Sequence, residues 1–178
     1  MRFIDTPLAG AFVIESDPVR DERGWFERVW CRRELAARGL DVQLAQNSLS
    51  FTRERGTLRG MHYQIPPHAE TKIVACVAGA IHDVVIDLRP DSLTFGAHFS
   101  LRLEARVSTM LYVPRGFAHG FQTLEDDTSV LYQISDFYAP EAARGIRWND
   151  PTFGIKWPIH PPALSARDRS WPDFALSQ

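Results

Sequence analysis

The sequence predicts an all-β protein, an antiparallel sandwich or barrel with a few short peripheral helices. Runs rich in β-branched and aromatic residues recur along the chain, turn residues separate them about every 8 to 15 residues, and no helical patterns lie between them. The chain has 178 residues, of which 44% are hydrophobic and 24% charged. This length and composition predict one globular domain, residues 1–178.

The strand signals are clearest in the middle of the chain. Phe99, Leu101 and Leu103 alternate with polar residues, so their side chains would share one face of a strand. Two other runs, MLYV and VLYQI, have the β-branched and aromatic composition of strands. The predicted strands are residues 72–77, 81–88, 99–104, 110–113 and 130–134, with Gly79 between the first two.

One segment has a helical composition, CRRELAARGL at residues 31–40. Its Ala, Leu, Glu and Arg residues favour a helix. Gly39 supplies the residue at which the helix would end. We therefore expect one short helix before the main run of strands.

The C-terminal part of the chain, residues 139–178, is predicted to be an irregular tail wrapped on the barrel. It contains Trp148, Trp157 and Trp171 but lacks a strand pattern. Its prolines, which disfavour regular structure, are Pro140, Pro151, Pro158, Pro161, Pro162 and Pro172.

Composition also excludes several classes of protein. The net charge of −2 argues against a nucleic-acid-binding protein, which usually carries a basic excess. Two cysteines, Cys31 and Cys76, cannot build a disulfide framework. The longest apolar run, residues 73–81, is too short to cross a bilayer, and the N-terminal residues lack the pattern of a signal peptide. These observations predict a cytoplasmic protein without membrane partners.

Two segments could carry chemistry. The first is GTLRGMHYQIPPHAETK, residues 56–72, in which an extended backbone would put His62 and Gln64 on one face and Met61 and Tyr63 on the other. The second is YVPRGFAHGFQTL, residues 112–124, in which a Pro-x-Gly turn leads to His119. Together they resemble the paired motifs of the cupin jelly roll, and the fold expected is therefore a cupin-type antiparallel jelly-roll barrel.

The motifs depart from those of metal-binding cupins. The second histidine of the first motif is replaced by Gln64, and the expected acidic position falls on Pro67 or His68. Two imidazoles alone make a poor site for zinc or iron, so we expect no metal. A metal site completed by His68 or Glu70 is the alternative, and it would belong to a dioxygenase or a sugar-phosphate isomerase.

Longer motifs resemble one family, the dTDP-4-dehydrorhamnose 3,5-epimerases and their relatives that act on nucleotide-linked 4-keto sugars. The resemblance runs from DERGWF at residues 21–26 to LSARD at residues 164–168 and covers about four-fifths of the chain. The motifs that carry it are LRGMHYQIPP, VVIDLRPDSLTFG, YVPRGFAHGFQTL, VLYQISDFYAPE and RGIRWNDP. It implies an epimerase that inverts C3 and C5 of a dTDP-linked 4-keto-6-deoxyhexose.

The resemblance assigns the catalytic roles to four residues. His62 is the expected base, Tyr132 the acid on the opposite face of the sugar, and Lys72 the group that stabilises the enolate. Asp168 would hydrogen-bond His62 and fix its tautomer. These steps transfer protons and no hydride, so no cofactor is expected, in agreement with the absence of a Gly-rich dinucleotide motif from the sequence.

The resemblance also predicts the residues that bind the nucleotide-diphosphate sugar. Arginine suits phosphate because its planar fork binds two oxygens at once. The expected basic contacts are Arg23, Arg59 and Arg167. The remaining expected contacts are His119 in the sugar pocket, Gln46 on the nucleotide side, and the aromatic residues Phe26 and Tyr138 near the base.

Three positions depart from the family pattern on the binding side. Arg28 and Ala143 stand where the family often has glutamate, and Asn47-Ser48 stands where it has Asp-Asn. Recognition of thymine could therefore differ, and a CDP- or GDP-linked sugar is an alternative substrate. The sequence is also compatible with a single-centre epimerase acting at C3 or C5 and with a non-catalytic sugar-nucleotide binder.

The family resemblance further implies a homodimer. Its N-terminal strand, around residues 2–14, would cross onto the partner's sheet. Phe3, Phe12 and Ile14 would supply the apolar contacts. Such an exchange would cover a sheet edge that otherwise invites unwanted pairing.

Overall fold

The chain folds into two antiparallel β-sheets packed face to face and a separate two-stranded hairpin. The computed structural model describes residues 1–41, 43–160 and 162–175. Within these residues the strands are β1 (Arg2–Asp5), β2 (Phe12–Glu15), β3 (Val19–Asp21), β4 (Gly24–Phe26), β5 (Gln46–Thr52), β6 (Leu58–Gln64), β7 (Lys72–Ala78), β8 (Ala80–Asp87), β9 (His98–Glu104), β10 (Thr109–Val113), β11 (Phe117–Thr123), β12 (Thr128–Ile134) and β13 (Ala143–Gly145). The helices are α1 (Arg32–Ala36) and α2 (Ala166–Arg169).

The connections between the sheets make the fold a jelly roll. The larger sheet has the strand order β1-β2-β10-β7-β12-β5 and the smaller sheet β13-β6-β11-β8-β9. The chain passes from one sheet to the other at Gly79, between β7 and β8. The all-β class predicted from the alternating strands is confirmed, and the five predicted central strands lie within one or two residues of their predicted bounds.

The main core lies between the two sheets. Val74 and Cys76 point inward from β7, and Ile81, Val85 and Phe121 meet them from the smaller sheet, all at most 6% exposed. Removing this apolar surface from water supplies the main stabilisation of the two-sheet packing. Lys72 lies on the same face of β7 as Val74 and Cys76, and it therefore points into the space between the sheets.

Other segments cover the outer faces of the sheets. Leu35 of α1 packs on the larger sheet against Ile73 and Met110. On the smaller sheet, Phe153 and Trp157 of the C-terminal segment cover a second apolar cluster. Gln122 of β11 holds this segment in place, since its amide donates to the Ile159 carbonyl at 2.8 Å and accepts from the Ile159 N–H at 3.0 Å. The smaller sheet is thereby buried on both faces.

Three segments differ in detail from the sequence prediction. The N-terminal segment forms two strands, β1 and β2, which pair with each other. Strand β2 also pairs with β10 of the same chain. Helix α1 is shorter than predicted, but it ends as expected, because Gly39 adopts a φ of 68° and the Leu40 N–H bonds the Leu35 carbonyl at 3.1 Å.

The C-terminal segment has more regular structure than its prolines suggested. It contains β13 and α2. Pro161 and residues 176–178 of the predicted tail lie outside the described residues. No helix in the described part of the chain has the length and apolar character needed to cross a membrane.

Candidate active site

A cavity of about 560 Å³ opens between the two sheets, a volume typical of small-molecule sites. Strands β6 and β11 pair so that His62 lies opposite His119, and both side chains line the cavity. Nine of the eleven residues predicted from the sequence line this cavity: His62, Tyr132, Lys72, Asp168, Gln46, Arg59, His119, Tyr138 and Arg167. The two others, Arg23 and Phe26, do not lie among the residues lining it.

His62 and Asp168 form a hydrogen-bonded pair. His62 Nε2 lies 2.6 Å from Asp168 Oδ1, and 43% of the imidazole side chain is exposed against 7% of the carboxylate. Burial alone would raise the pKa of Asp168, but hydrogen bonds and the charge of His62 hold that pKa below its usual value. The carboxylate is thus ionised at neutral pH and accepts a hydrogen bond from His62, which requires a proton on Nε2 of the imidazole. Nδ1 then carries the free lone pair that a general base needs.

Helix α2 places the Asp168 carboxylate. Ser165 caps this helix, and its Oγ accepts a hydrogen bond from the Asp168 N–H at 3.0 Å. The SARD segment thus supplies both the cap of α2 and the carboxylate partner of His62. The cap fixes the backbone of Asp168 while the side chain reaches β6.

Tyr132 faces His62 from the other sheet. It lies on β12 of the larger sheet, whereas His62 lies on β6 of the smaller one. Burial raises the pKa of Tyr132 far above its usual value, Asp83 adds to this increase, and Arg59 opposes it. The phenol therefore stays protonated at neutral pH and keeps a proton that it can donate.

His119 belongs to a second histidine–carboxylate pair that sequence reasoning did not find. His119 Nε2 lies 2.7 Å from Asp83 Oδ1, and both side chains are buried. The imidazole also meets the Tyr132 ring edge-on at 5.8 Å. An available signal was the period of β8, which puts Asp83 on the inward face with Ile81 and Val85.

Lys72 receives a counter-charge from Glu70, a residue that the sequence suggested only as a metal ligand. Its ammonium lies 2.9 Å from Glu70 Oε1, and the side chains are 12% and 7% exposed. The second oxygen, Glu70 Oε2, is buried and without a hydrogen-bond partner among the described residues. The Glu70 carboxylate offsets the cost of burying the Lys72 ammonium at the start of an apolar strand, because a buried ammonium needs an anion or water.

Cations surround the outer part of the cavity. Arg59 is held by Thr52 Oγ1 at 3.0 Å and by the Phe51 carbonyl at 3.1 Å. Arg167 lies 3.4 Å from the Tyr138 hydroxyl, and Arg144 also lines the cavity. Such a set of guanidinium groups suits an anionic ligand with several oxygens.

Gln64, which replaces the second cupin histidine, is committed to the backbone. Its amide donates to the carbonyls of His68 and Phe137 at 2.9 and 3.1 Å and accepts from the Ala139 N–H at 2.7 Å. No group of three His, Cys, Asp or Glu side chains in the described ranges has the arrangement of a metal site. Gln64, at the position of the second cupin histidine, thus makes three hydrogen bonds to the backbone and supplies no imidazole to a metal.

Arg23 and Phe26 lie on the hairpin formed by β3 and β4, away from the cavity of their own chain. Arg23 pairs with Asp21 within the turn. Phe26 is 76% exposed, and Val19 and Trp25 beside it are 72% and 53% exposed. The hairpin therefore presents an apolar surface without a partner in the described part of the chain.

Comparison with known proteins places this geometry in one family. The family profile described as dTDP-4-dehydrorhamnose 3,5-epimerase matches residues 5–175. The chain belongs to this family. The epimerase of Shigella flexneri is 37% identical over 169 residues, which are 94% of this chain and 93% of that protein.

Solved structures of similar proteins superpose closely on this one. The epimerase of Bacillus anthracis str. Ames, with TDP and PPi bound, has a TM-score of 0.94 at 38% identity, covering 97% of this chain and 99% of that one. A 3′-monoepimerase from Streptomyces bikiniensis, in complex with dTDP-quinovose, has a TM-score of 0.86 at 35% identity, covering 94% and 85%. The proteins similar to this chain thus include one described as a 3,5-epimerase and one described as a 3′-monoepimerase.

The departures from the epimerase pattern fall in different places. Ala143 lines the cavity, so the loss of a carboxylate there changes the site itself. Arg28 lies outside the cavity of its own chain and pairs with Glu34 of α1 at 3.0 Å. The four residues predicted to do the chemistry are unaffected by either change.

Replacing Gln64 tests whether it is a structural clamp. Gln64→Ala removes three hydrogen bonds from a side chain that is 7% exposed, so the free energy of unfolding should fall by about 3 kcal/mol, or about 1 kcal/mol per bond. Urea unfolding followed by fluorescence measures this. The matched control is Gln133→Ala, because Gln133 Oε1 is buried without a partner among the described residues. Equal losses in the two variants would contradict the clamp.

Proposed function

We propose that this protein inverts C3 and C5 of a dTDP-linked 4-keto-6-deoxyhexose, converting dTDP-4-dehydro-6-deoxyglucose into dTDP-4-dehydrorhamnose. The observation that carries the proposal is that His62 on one sheet, hydrogen-bonded to Asp168 of α2, and Tyr132 on the other sheet line a single cavity. Epimerisation needs a base and an acid on opposite faces of the sugar. A protein that only binds sugar nucleotides needs neither.

The chemistry follows from the acidity of carbons beside a ketone. His62 Nδ1 removes the hydrogen from the carbon next to the C4 carbonyl, and the electron pair moves onto the carbonyl oxygen. The Lys72 ammonium, fixed by Glu70, stabilises the resulting enolate. Tyr132 delivers a proton to the opposite face, which inverts the centre. His62 then releases its proton to solvent and Tyr132 regains one from solvent, so the same steps can follow at the second carbon.

The substrate would be bound by the cations at the cavity mouth and by Tyr138. Arg59 and Arg167 would contact the diphosphate, and His119 the sugar. Tyr138, which is 57% exposed, would stack on the base, and Gln46 holds its backbone N–H at 2.8 Å. All steps move protons only, so the proposed reaction needs no redox cofactor.

Inversion at a single centre is the second candidate, and the Streptomyces bikiniensis monoepimerase supports it. Both reactions use the same base and acid. They differ in whether the sugar, after the first inversion, is positioned to present the second carbon to His62. The two-centre reaction is favoured because the relative from Shigella flexneri, which matches 94% of this chain, is described as a 3,5-epimerase.

The reaction itself can be followed in deuterium oxide. Incubation with dTDP-4-dehydro-6-deoxyglucose should put solvent deuterium at both C3 and C5, and proton NMR should show the inverted product. Deuterium at one carbon alone would establish the single-centre reaction. If deuterium entered neither carbon of the dTDP-, CDP- or GDP-linked sugar, the proposal would be overturned.

We also propose that the working unit is a homodimer, in which the hairpin of β3 and β4 reaches the partner's cavity. Arg23 and Phe26 match substrate-binding positions of the family, yet they lie away from the cavity of their own chain. The exposed Val19, Trp25 and Phe26 suit burial against another chain. Exchange of the N-terminal strand remains a prediction within this dimer.

We propose that the protein acts in the cytoplasm. Cys31 and Cys76 are both free thiols, which suits a reducing environment. The whole chain, residues 1–178, would act as one domain, because the C-terminal segment supplies Asp168 to the cavity between the sheets.

Mixing two inactive variants tests the exchange of Arg23 between subunits. Arg23→Ala and His62→Ala should each lose most activity, but after co-refolding half of the dimers combine both chains. Each mixed dimer then has one intact site, so about a quarter of the wild-type activity should return. The control pair, Lys72→Ala with His62→Ala, should show no recovery because both residues line the same cavity. An absence of recovery in both mixtures would contradict the exchange of Arg23, and the sedimentation mass of a single chain at micromolar concentration would contradict the dimer.

A further inference from the structure

Trp171 lies against the catalytic pair through a close contact with the backbone of β13. A side chain at Gly145 would begin 2.2 Å from Trp171 Cε2, so the indole occupies the space that any larger residue would fill. Gly145 is the residue that pairs with His62 across β13 and β6. The indole therefore sits on the strand immediately beside the proposed base.

The indole N–H points at the carboxylate that orients His62. Trp171 Nε1 lies 3.3 Å from Asp168 Oδ1, the same oxygen that lies 2.6 Å from His62 Nε2. The rings of Trp171 and His62 also meet edge to face, with centroids 6.4 Å apart at 68°. Two N–H groups thus converge on one carboxylate oxygen and fix its direction.

The face of the same indole supports Arg167. The guanidinium carbon lies 5.2 Å from the centroid of the Trp171 ring, within the range of a cation–π contact. Arg167 is one of the cations lining the cavity. A single side chain therefore contacts a group proposed for the chemistry and a group proposed for substrate binding.

The chain around Trp171 is held in place from outside the cavity. The carbonyl of the next residue, Pro172, accepts from the Arg147 N–H at 3.0 Å. The Arg147 side chain pairs with Asp173 at 2.6 Å. These contacts fix the segment after α2, so that the indole is not free to leave Gly145.

We propose that Trp171 is a positioning residue that holds the Asp168 carboxylate, and through it His62, in the geometry for proton removal. This inference rests on the proposed epimerase function. Trp171 acts through Asp168 and Arg167 and transfers no proton itself. Its N–H contributes to the rate of proton removal, and its ring face contributes to substrate binding through Arg167.

Two substitutions separate these contributions. Trp171→Phe keeps an aromatic ring on Gly145 and under Arg167 but deletes the N–H, so kcat should fall about tenfold with little change in KM, as expected when a reacting group loses its orientation. Trp171→Leu also removes the aromatic face, so it should show the same loss in kcat and a several-fold higher KM.

The matched control is Trp157→Phe. Trp157 lies in the same C-terminal segment, and its N–H donates to the Trp148 carbonyl at 2.7 Å, but it does not line the cavity. This variant should lose stability while keeping its kcat. If Trp171→Phe keeps wild-type kcat, or loses no more than Trp157→Phe does, the inference is wrong.

A second measurement does not depend on turnover. The proton shared by His62 and Asp168 should give a downfield NMR signal in the wild-type protein. Trp171→Phe should shift or broaden it, whereas Trp157→Phe should leave it unchanged. If the wild-type protein has no epimerase activity, the proposed function is overturned. The NMR signal of the shared proton then tests the role of Trp171 by itself. An unchanged signal in Trp171→Phe would overturn the inference even if the enzyme is active.

Discussion

The hydrogen bond between His62 and Asp168 joins two parts of the chain that are 106 residues apart. His62 lies on strand β6, and Asp168 lies on helix α2. For the bond to form, the C-terminal segment must cross the outside of the smaller sheet and return to the cavity. Contacts on both sides of Asp168 hold this segment in place. Gln122 binds Ile159 and Ser165 caps α2 before Asp168, and Arg147 pairs with Asp173 after it. The proposed base therefore depends on a segment with little regular structure of its own.

The space between the sheets divides into an apolar part and a polar part. Val74, Val85 and Phe121 fill the first without polar groups. The second contains ionisable side chains that would be costly to bury singly, and two pairs of them are matched, Lys72 with Glu70 and His119 with Asp83. This pairing fixes the direction of each group before substrate arrives. Preorganised charges of this kind stabilise an enolate better than water does, because they do not need to reorient.

Much of this arrangement could be predicted from local sequence pattern. The period of two put His62 and Gln64 on the cavity face, and Met61 packs on the opposite face as expected, whereas Tyr63 contacts that opposite cluster and also lines the cavity. The family motifs led to nine residues that line one cavity. The contacts that were missed depend on residues distant in sequence or without a pattern. The Asp83 partner of His119 and the indole of Trp171 on Gly145 follow from packing between segments, whereas the Glu70 ion pair joins residues only two positions apart at the start of β7.

The central claim is that His62 removes the proton and Tyr132 returns one from the opposite sheet. The most direct test is proton NMR in deuterium oxide with His62→Ala and Tyr132→Phe, using a 4-keto-6-deoxy sugar nucleotide. In Tyr132→Phe the base, Lys72 and Asp168 remain, so exchange of substrate hydrogens should persist while net inversion falls by roughly 10²- to 10⁴-fold, the usual worth of a general acid. In His62→Ala both exchange and inversion should be lost. Full inversion in Tyr132→Phe, or full exchange in His62→Ala, would show that another residue transfers the proton.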